Sequence, residues 1–490
     1  MKFLGLRLCD HDSNITYTDG IVVKYYNSER DYQIKHHGFM DLNQWFQIIK
    51  RWDINPSEVD AIAITIDSFS YDKIKFNEKE LFSSIEIPLF KLLGFDCPVF
   101  RVDHHYAHHL SCWMFGESDV GIVSDGFGDD YSGHTVFKND KIVLRYSADK
   151  VESLGLILSN VGHQMGIKGH SLDFAGKIMA LKAFGNYSST GSCDLTDLSK
   201  LWRSANFTRM HKHNFKDVCD KVCAAHTITE RAFVKHFIEY TDETDVIFYS
   251  GGVAQNTVIN SEIRNVRPNL VIPPHCNDSG LSLGLVEFLR KYYDQEKFDS
   301  SGFPFWQQDE EPLPPSKRTI KQTAELLAQG KIVGWYQGQG EVGPRALGNR
   351  SILMNPSIVD GKNIINSKVK HREFYRPFGA SILEEKSRDY FNFVYDSPYM
   401  LYVMELIDKQ SFAPITHADG TCRAQTVSQD HTYYYELIEE FEKLTGVPMV
   451  LNTSLNVGGK PICGHVSNAM EILSLTDMDS LVVGENIFFN

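Results

Sequence analysis

Residues 101–130 read RVDHHYAHHLSCWMFGESDVGIVSDGFGDD, and the fold is read outward from them. His104 and His108 are four apart, as are His105 and His109. Residues four apart share a helix face, so either pair presents two imidazoles to one ion. Downstream, VGIVSDG is a short apolar strand ending in Asp-Gly. That places Asp125 at a strand's carboxyl edge, where α/β sheets hold ligands. Two imidazoles and a carboxylate suit a borderline divalent metal such as iron, manganese or zinc. Taken alone, such a His pair is more often structural or solvated than ligating, so the rest of the chain has to decide.

At 490 residues the chain is too long for one ordinary core and calls for two or more domains. Its 42% hydrophobic and 23% charged content is that of a soluble globular protein. No apolar run approaches the roughly twenty residues of a membrane-spanning helix. MKFLGLRLCDHD reads as a buried first strand, not a secretory signal. The nine cysteines are dispersed and form no CxxC, which points to reduced thiols and the cytoplasm. A net charge of −14 repels nucleic acid unless a basic groove is set aside for it.

Working from the N-terminus, FLGLRL (3–8) is a strand, CDHDSN a polar turn, and ITYTDGIVV a second strand. This strand–turn–strand resembles the first phosphate hairpin of actin-like ATPases. His11 and Asp12 sit on its turn, although Asp, Ser and Asn favour turns for local reasons too. An amphipathic helix (41–52) and the strand DAIAITID (60–67) follow, and the alternation marks a mixed α/β layer fold. LGLILSNVGHQMGIKG and DFAGKIMALKAFG are helical by apolar spacing, with Lys177 positioned to meet a nucleotide or simply solvated. Residues 190–240 read as helical and polar outside.

DVIFYSGGVAQNTVIN (245–260) takes an apolar strand through Ser-Gly-Gly straight into a helix. Glycines there let the backbone approach a phosphate, and a helix N-terminus favours the anion. Gly251 and Gly252 are the close-approach positions, and Asn256 is placed one turn into the helix, for a ribose or phosphate. NDSG repeats the design, with Asp278 either a further metal ligand or an N-cap. FDSSGFPFWQQDEEPLPPS (298–316) reads as a linker. Beyond it, Arg345 to Arg376 holds seven Lys/Arg against two acids in an otherwise acidic chain. Interleaving with Gly, Pro and apolar residues turns those cations inward, toward a polyanion. Arg423 follows in HADGTCRAQTV, and Asn452, Thr453, Ser454 and Asn456 follow the strand of VPMVLNTSLNVGGKPI.

In their order, GEVGPRALGNRSIL, VKHREFYRPF, DGTCRAQTV and LNTSLNVGGKPI resemble the ATP-dependent O-carbamoyltransferases of antibiotic and nodulation-factor biosynthesis. The N-terminal series His-x-x-x-His, Asp-Gly, SGGVAQN and NDSG extends the resemblance over nearly the whole chain. It implies an α/β protein with an N-terminal actin-like ATPase fold, similar to the tRNA threonylcarbamoyl-transfer enzymes, over 1–300. A linker follows at 301–316, then a C-terminal YrdC-like α/β domain over 317–490. The resemblance further implies that His104, His108, Asp125 and Asp278 hold a divalent metal, Fe2+ or Mn2+. His104/His108 are preferred to His105/His109 because the motif begins at the first His of the run. Lys177, Gly251, Gly252 and Asn256 would face an adenylate. Arg345, Arg350, Lys370 and Arg376 would hold carbamoyl phosphate and ATP, supported by Arg423, Asn452 and Ser454.

The implied chemistry is formation of carbamoyl adenylate from carbamoyl phosphate and Mg2+–ATP, then transfer to an acceptor hydroxyl. Asp12 or His11 is the candidate base. The acceptor is a small natural product or sugar, or the hydroxymethyl group of a modified pyrimidine in a nucleotide or in phage DNA. The competing reading is a threonylcarbamoyl-type tRNA-modifying transferase. Expected partners are small-molecule donors and a hydroxylated acceptor, with no membrane, in a cytoplasmic monomer or homodimer. Two departures stand out. The chain is shorter than such enzymes, and DGFGDD replaces the expected DG-x-GE, with Asp129 standing for the Glu.

Overall fold

A computed structural model of the chain describes residues 1–39, 42–66, 80–147, 151–187, 191–392 and 395–490. Residues 41, 67 and 190, at the ends of segments read above, lie outside the described residues. The chain forms two compact units: Met1–Leu154 with Tyr240–Gln255 and Asn269–Gln308, and Gly155–Glu239 with Asn256–Pro268 and Asp309–Asn490.

In the first unit, FLGLRL forms β1 (Phe3–Leu8), which is apolar and buried because both faces of the sheet are covered. It pairs antiparallel with β2 (Asn14–Thr18), and β2 pairs antiparallel with β3 (Val23–Asn27). On its other side β1 runs parallel to β4 (Ala61–Ile66). Beyond β4 lie β5 (Phe82–Ile85) and β6 (Val99–Val102), in the order β3-β2-β1-β4-β6-β5. The second sheet repeats the plan. Here β7 (Val120–Ser124), β8 (Ser132–Lys138) and β9 (Lys141–Ser147) form an antiparallel meander. β10 (Ile247–Ser250) and β11 (Leu270–Val271) continue parallel to β7. A three-strand meander followed by strands parallel to its first member, present twice, is the actin-like ATPase architecture. Leu4, Leu6, Ile15, Trp45, Ile62 and Ile64 belong to one core cluster beside the first sheet.

The second unit is built on a nine-stranded mixed sheet. Its strands in chain order are β12 (Val333–Tyr336), β13 (Arg350–Met354), β14 (Gly379–Leu383), β15 (Phe391–Asn392), β16 (Met404–Leu406), β17 (Thr421–Val427), β18 (Met449–Ser454), β19 (Ser480–Val483) and β20 (Asn486–Phe489). The spatial order β15-β16-β17-β14-β18-β13-β12-β19-β20 puts the motif-bearing strands β17, β14, β18 and β13 side by side. Trp335, Leu353, Leu437, Phe441, Val450 and Val482 pack its core.

The same unit includes the long helix Phe215–Tyr240, which buries Val218, Val222, Ala225, Thr229, Phe233 and Phe237, the spacing of one helix face. Asn260 Nδ2 donates to Leu401 O at 2.9 Å, and Phe215 packs on Phe374 at 5.5 Å between ring centroids. The compact units therefore cut across the functional division at 1–300 and 317–490, which is a proposal about chemistry.

The acidic, Pro-rich stretch read as a linker is bonded along its length. Gln308 N donates to Tyr25 O at 3.0 Å in the first unit. In the second, Tyr336 Oη donates to Glu310 O at 3.0 Å. Among the described residues, no helix is long and apolar enough to cross a membrane.

Candidate active site

The helix His104–Leu110 starts where it does because Asp103 caps it, accepting from Tyr106 N at 2.9 Å. Arg145 clamps the cap with two bonds to the Asp103 carboxylate, 2.9 and 3.0 Å long. Asp129, the residue standing for the expected Glu, accepts from His104 N at 2.7 Å and pairs with Arg101. It positions the helix. Behind it, Gly284 is indispensable: a Cβ there would lie 1.9 Å from Ala107 O, so only glycine lets the helix Leu281–Tyr292 pass so close.

The two His pairs part company. His105 Nδ1 bonds Thr135 Oγ1 at 2.7 Å, and His109 Nε2 bonds Asp140 at 3.0 Å. His104 Nε2 and His108 Nε2 lie 3.0 and 3.1 Å from Asp125 Oδ2. They lie 3.5 and 3.2 Å from Asp278 Oδ1. The four donor atoms converge within 4.8 Å, and all four residues are buried. Asp278 reaches them from a 3₁₀ turn, Asp278–Gly280, that precedes the helix Leu281–Tyr292.

Two nitrogen and two carboxylate donors, buried and aimed at one point, fit a borderline divalent cation. The electrostatics agree. Burial opposes charge on His104, yet Asp278 and Asp125 outweigh it and raise its pKa to about 10. Burial pushes the other way on Asp278 too, but His104 and Arg7 hold its carboxyl well below the usual range. The cluster thus holds a positive charge against two buried carboxylates, the task a dication performs.

The remaining predicted residues of this unit sit close by. Gly251 has φ +93°, and a Cβ there would meet Ser124 O at 2.2 Å. Gly252 N donates to Asp125 Oδ1 at 3.0 Å, so the glycine turn fixes a metal-type ligand. His11 Nδ1 donates to Asp12 Oδ2 at 3.1 Å and lies 3.8 Å from Asp278 Oδ2. Asp12, in the left-handed region at φ 49°, also accepts from His36 Nδ1 at 3.0 Å. Burial raises and the two imidazoles lower the Asp12 pKa, which settles at about 2.

Lys177 and Asn256 belong to the second unit. Lys177 Nζ pairs with Glu373 at 2.7 Å and donates to Lys168 O. Asn256 is the N-cap of the helix Thr257–Val266, not a residue one turn inside it, because a 3₁₀ turn, Gly252–Gln255, intervenes. Its Oδ1 accepts from Ile259 N at 3.2 Å and its Nδ2 bonds His226 Nε2 at 3.0 Å, so both ends of its side chain are committed to the fold.

In the C-terminal sheet, the loop GPRALGNR hangs from one carboxylate oxygen. Glu341 Oε1 accepts from the backbone N–H groups of Leu347, Asn349 and Arg350 at 2.8, 2.9 and 3.1 Å. Arg350 closes the loop from below. Fully buried, it donates to Gln337 O, Asn349 O and Gly338 O at 2.6–3.0 Å and lies 3.6 Å from the Tyr336 ring centroid. The structure therefore separates Arg350 from the cations expected to meet phosphate. Lys370 Nζ binds Ser454 O at 2.7 Å and Asn456 O at 2.9 Å, tying the turn after β18. Asn452 Nδ2 donates to Ser381 Oγ at 2.9 Å, and its Oδ1 is buried with no hydrogen-bond partner.

Arg345, Arg376 and Arg423 do come together, with Arg372 among them. Burial, then Arg345 and Arg372, hold the Arg423 pKa well below its ordinary value. Burial, then Arg376, lowers Arg372 to about 9. Burial lowers His417 to about 4; Asp419 opposes this, and Arg423 and Lys362 reinforce it. The Nε atoms of Arg372 and Arg423 and the Nε2 of His417 are buried without hydrogen-bond partners. Cations crowded and desolvated in this way call for anionic oxygens.

Residues 324–489 match the family described as the carbamoyltransferase C-terminus. The chain thus carries a carbamoyltransferase C-terminal domain in about a third of its length and is an enzyme that transfers carbamoyl groups. It is 27% identical to the nodulation protein NolNO of Sinorhizobium fredii over 95% of this chain and 77% of that one. It is 30% identical to the 3'-hydroxymethylcephem-O-carbamoyltransferase of Streptomyces clavuligerus over 64% of each. Among solved structures, HypF of T. kodakarensis aligns with 60% of this chain and 48% of its own at 14% identity and a TM-score of 0.42.

Five residues at this carbamoyltransferase's two clusters escape a reading of the sequence: Arg7, His36, Lys362, Arg372 and His417. Arg372 and Lys362 lie inside the basic run, and His36 in a Lys-His-His loop. Arg7 carries no signal beyond a charge inside an apolar strand, which is itself a reason to look.

Proposed function

We propose that this carbamoyltransferase makes carbamoyl adenylate from carbamoyl phosphate and ATP in residues 317–490, a YrdC-like domain, and passes the carbamoyl group to an acceptor hydroxyl in residues 1–300. The observation that carries the first step is the cluster Arg345, Arg372, Arg376 and Arg423, with unpartnered buried nitrogens on Arg372 and Arg423. Water cleaves the donor's phosphate, releasing inorganic phosphate and carbamate. A carbamate oxygen then attacks the α-phosphorus of ATP and expels pyrophosphate. Negative charge gathers throughout, and preorganised guanidinium groups stabilise it without reorganising.

In transfer, the acceptor oxygen attacks the carbamoyl carbon, its proton passes to a base, and AMP leaves. His11 is the base and Asp12 its orienter. Asp12 is buried beneath two imidazoles, whereas His11 keeps a side chain 32% exposed and its Nε2 clear of the Asp12 bond. Asp12 fixes the tautomer, because a carboxylate accepts only from an N–H. His104, His108, Asp125 and Asp278 would hold Fe2+ or Mn2+. Such an ion, when bound, supplies Lewis-acid polarisation and charge for an anionic group.

The named cephem relative supports an acceptor carrying a hydroxymethyl group on a ring. A small natural product, a sugar and a hydroxymethylpyrimidine all offer such an alcohol. The deciding experiment incubates the protein with ATP, carbamoyl phosphate and a panel of these acceptors, and reads one added carbamoyl by mass spectrometry. A DNA acceptor also requires a steep fall of activity with salt; a flat profile removes it.

A further inference from the structure

The run from Arg345 to Arg376 is not the only departure from the chain's acidic balance. Acids make up 63 of 490 residues, yet the stretches 153–172 and 198–216 contain none. The fold sets the two side by side within the second unit. Met210 N donates to Met165 O at 2.9 Å, and a Cβ on Gly166 would stand 3.1 Å from Arg209 Cγ. Lys168, Arg209 and Lys212 are exposed on these joined stretches. Asp217 and Asp220, which follow, are occupied by Lys221 and Lys216 at 3.1 and 2.7 Å. Among the described residues, no carboxylate pairs with Lys168, Arg209 or Lys212.

The same surface continues to an exposed ring. Lys177 Nζ donates to Lys168 O and pairs with Glu373 at 2.7 Å. Phe215, near the end of the second stretch, lies 5.5 Å from Phe374 between ring centroids. Phe374 is 61% exposed. Cations gathered without counter-charges repel one another, and an apolar ring at their border gains nothing from water. One class of ligand offsets both costs: a strand with phosphates at intervals and bases free to stack. A duplex hides its base faces, so the ring favours a single strand.

We infer that Lys168, Arg209, Lys212 and Phe374 form a binding surface for single-stranded DNA, with the three cations on its phosphates and the ring against a base. The inference rests on the hydroxymethylpyrimidine acceptor proposed above and selects its DNA-borne form.

The test uses the full chain and a fluorescein-labelled single strand of about 20 nucleotides carrying one 5-hydroxymethylcytosine, followed by anisotropy across a salt series. Wild type should bind it more tightly than the same sequence as a duplex, with affinity falling steeply as salt rises. The triple variant Lys168→Ser, Arg209→Ser, Lys212→Ser should flatten the log–log salt slope by about two, the counter-ions of three single-strand phosphate contacts. Phe374→Ala should weaken binding about tenfold and leave the slope unchanged. Both variants should carbamoylate the free nucleoside 5-hydroxymethyl-2'-deoxycytidine at the wild-type rate, while their KM for the oligonucleotide rises.

A triple variant with the wild-type slope, or Phe374→Ala with wild-type affinity, overturns the inference. So does tighter binding to phosphatidylserine vesicles than to the oligonucleotide, which would make this face a membrane contact. If a variant does not fold, the wild-type comparison of single strand with duplex still decides, since an equal or reversed preference sinks the idea. A wild type that carbamoylates the nucleoside and binds no DNA also overturns it and leaves the acceptor standing. A wild type that binds the strand but carbamoylates no pyrimidine removes the acceptor reading itself, a different failure.

Discussion

His36 Nδ1 donates to both oxygens of Asp12, at 3.0 and 3.2 Å, while Glu29 Oε2 accepts the backbone N–H of His36 at 3.1 Å. The loop carrying His36 is thereby latched to the turn carrying His11 and Asp12. Asp12 occupies a left-handed conformation that the latch helps maintain.

Loss of that latch should slow transfer and spare activation. We expect Asp12→Asn to lower acceptor carbamoylation by about 10²–10⁴-fold, because the orienting carboxylate is gone. His36→Asn should cost about tenfold, mostly in kcat, with His36→Gln recovering part of it. Pyrophosphate release, followed separately, should be unchanged in all three. Equal loss of both steps would contradict the assignment.

The two half-reactions should separate by mutation. Arg345→Ala should abolish carbamoyl phosphate-dependent pyrophosphate release, whereas His104→Ala should retain it and abolish transfer. Chelation of the metal should mimic His104→Ala. If Arg345→Ala and His104→Ala lose pyrophosphate release equally, the division of labour between residues 1–300 and 317–490 is wrong.

Gly251 tests the glycine turn without touching a ligand. At φ +93°, and with Ser124 O only 2.2 Å from where a Cβ would stand, Gly251→Ala has no relaxed conformation. A destabilisation of about 2 kcal/mol or more is expected from the strained backbone, read as a lower urea midpoint. A midpoint equal to wild type would show that β10 and its turn can shift, and that the Gly252–Asp125 bond is not held by this contact.

Acid should destabilise the protein before its carboxylates protonate. Burial lowers the His236 pKa from 6.5 to about 4. Between those values the unfolded chain binds a proton that the folded chain does not, so stability rises with pH. The contribution is complete above about pH 6.5, is lost as pH falls toward 4, and is on the order of 3 kcal/mol for this residue. His236→Gln should flatten the slope of unfolding free energy between pH 7 and 5. An unchanged slope would mean the imidazole titrates normally in the fold.

Local pattern was legible wherever its cause was local. The i,i+4 histidines, the apolar strand ending at Asp125, the glycines after β10 and the density of cations from Arg345 to Arg376 all follow from near neighbours in the chain. What one pair or one cation does is set by residues far away. His104 and His108 differ from His105 and His109 only in the side of the helix from which Asp125 and Asp278 approach, and Asp278 is 170 residues from His108. Arg350 and Arg372 are indistinguishable as charges in a basic run. Yet the first is spent on carbonyls of its own loop, while the second keeps a buried nitrogen unpartnered. Arg7 was readable only as a charge within an apolar strand, until the fold brought Asp278 to 2.8 Å across 271 residues. Helix faces and turns are selected by short-range sterics and so are written in the sequence. The partner of a buried charge is selected by desolvation, which acts only once the chain has closed around it.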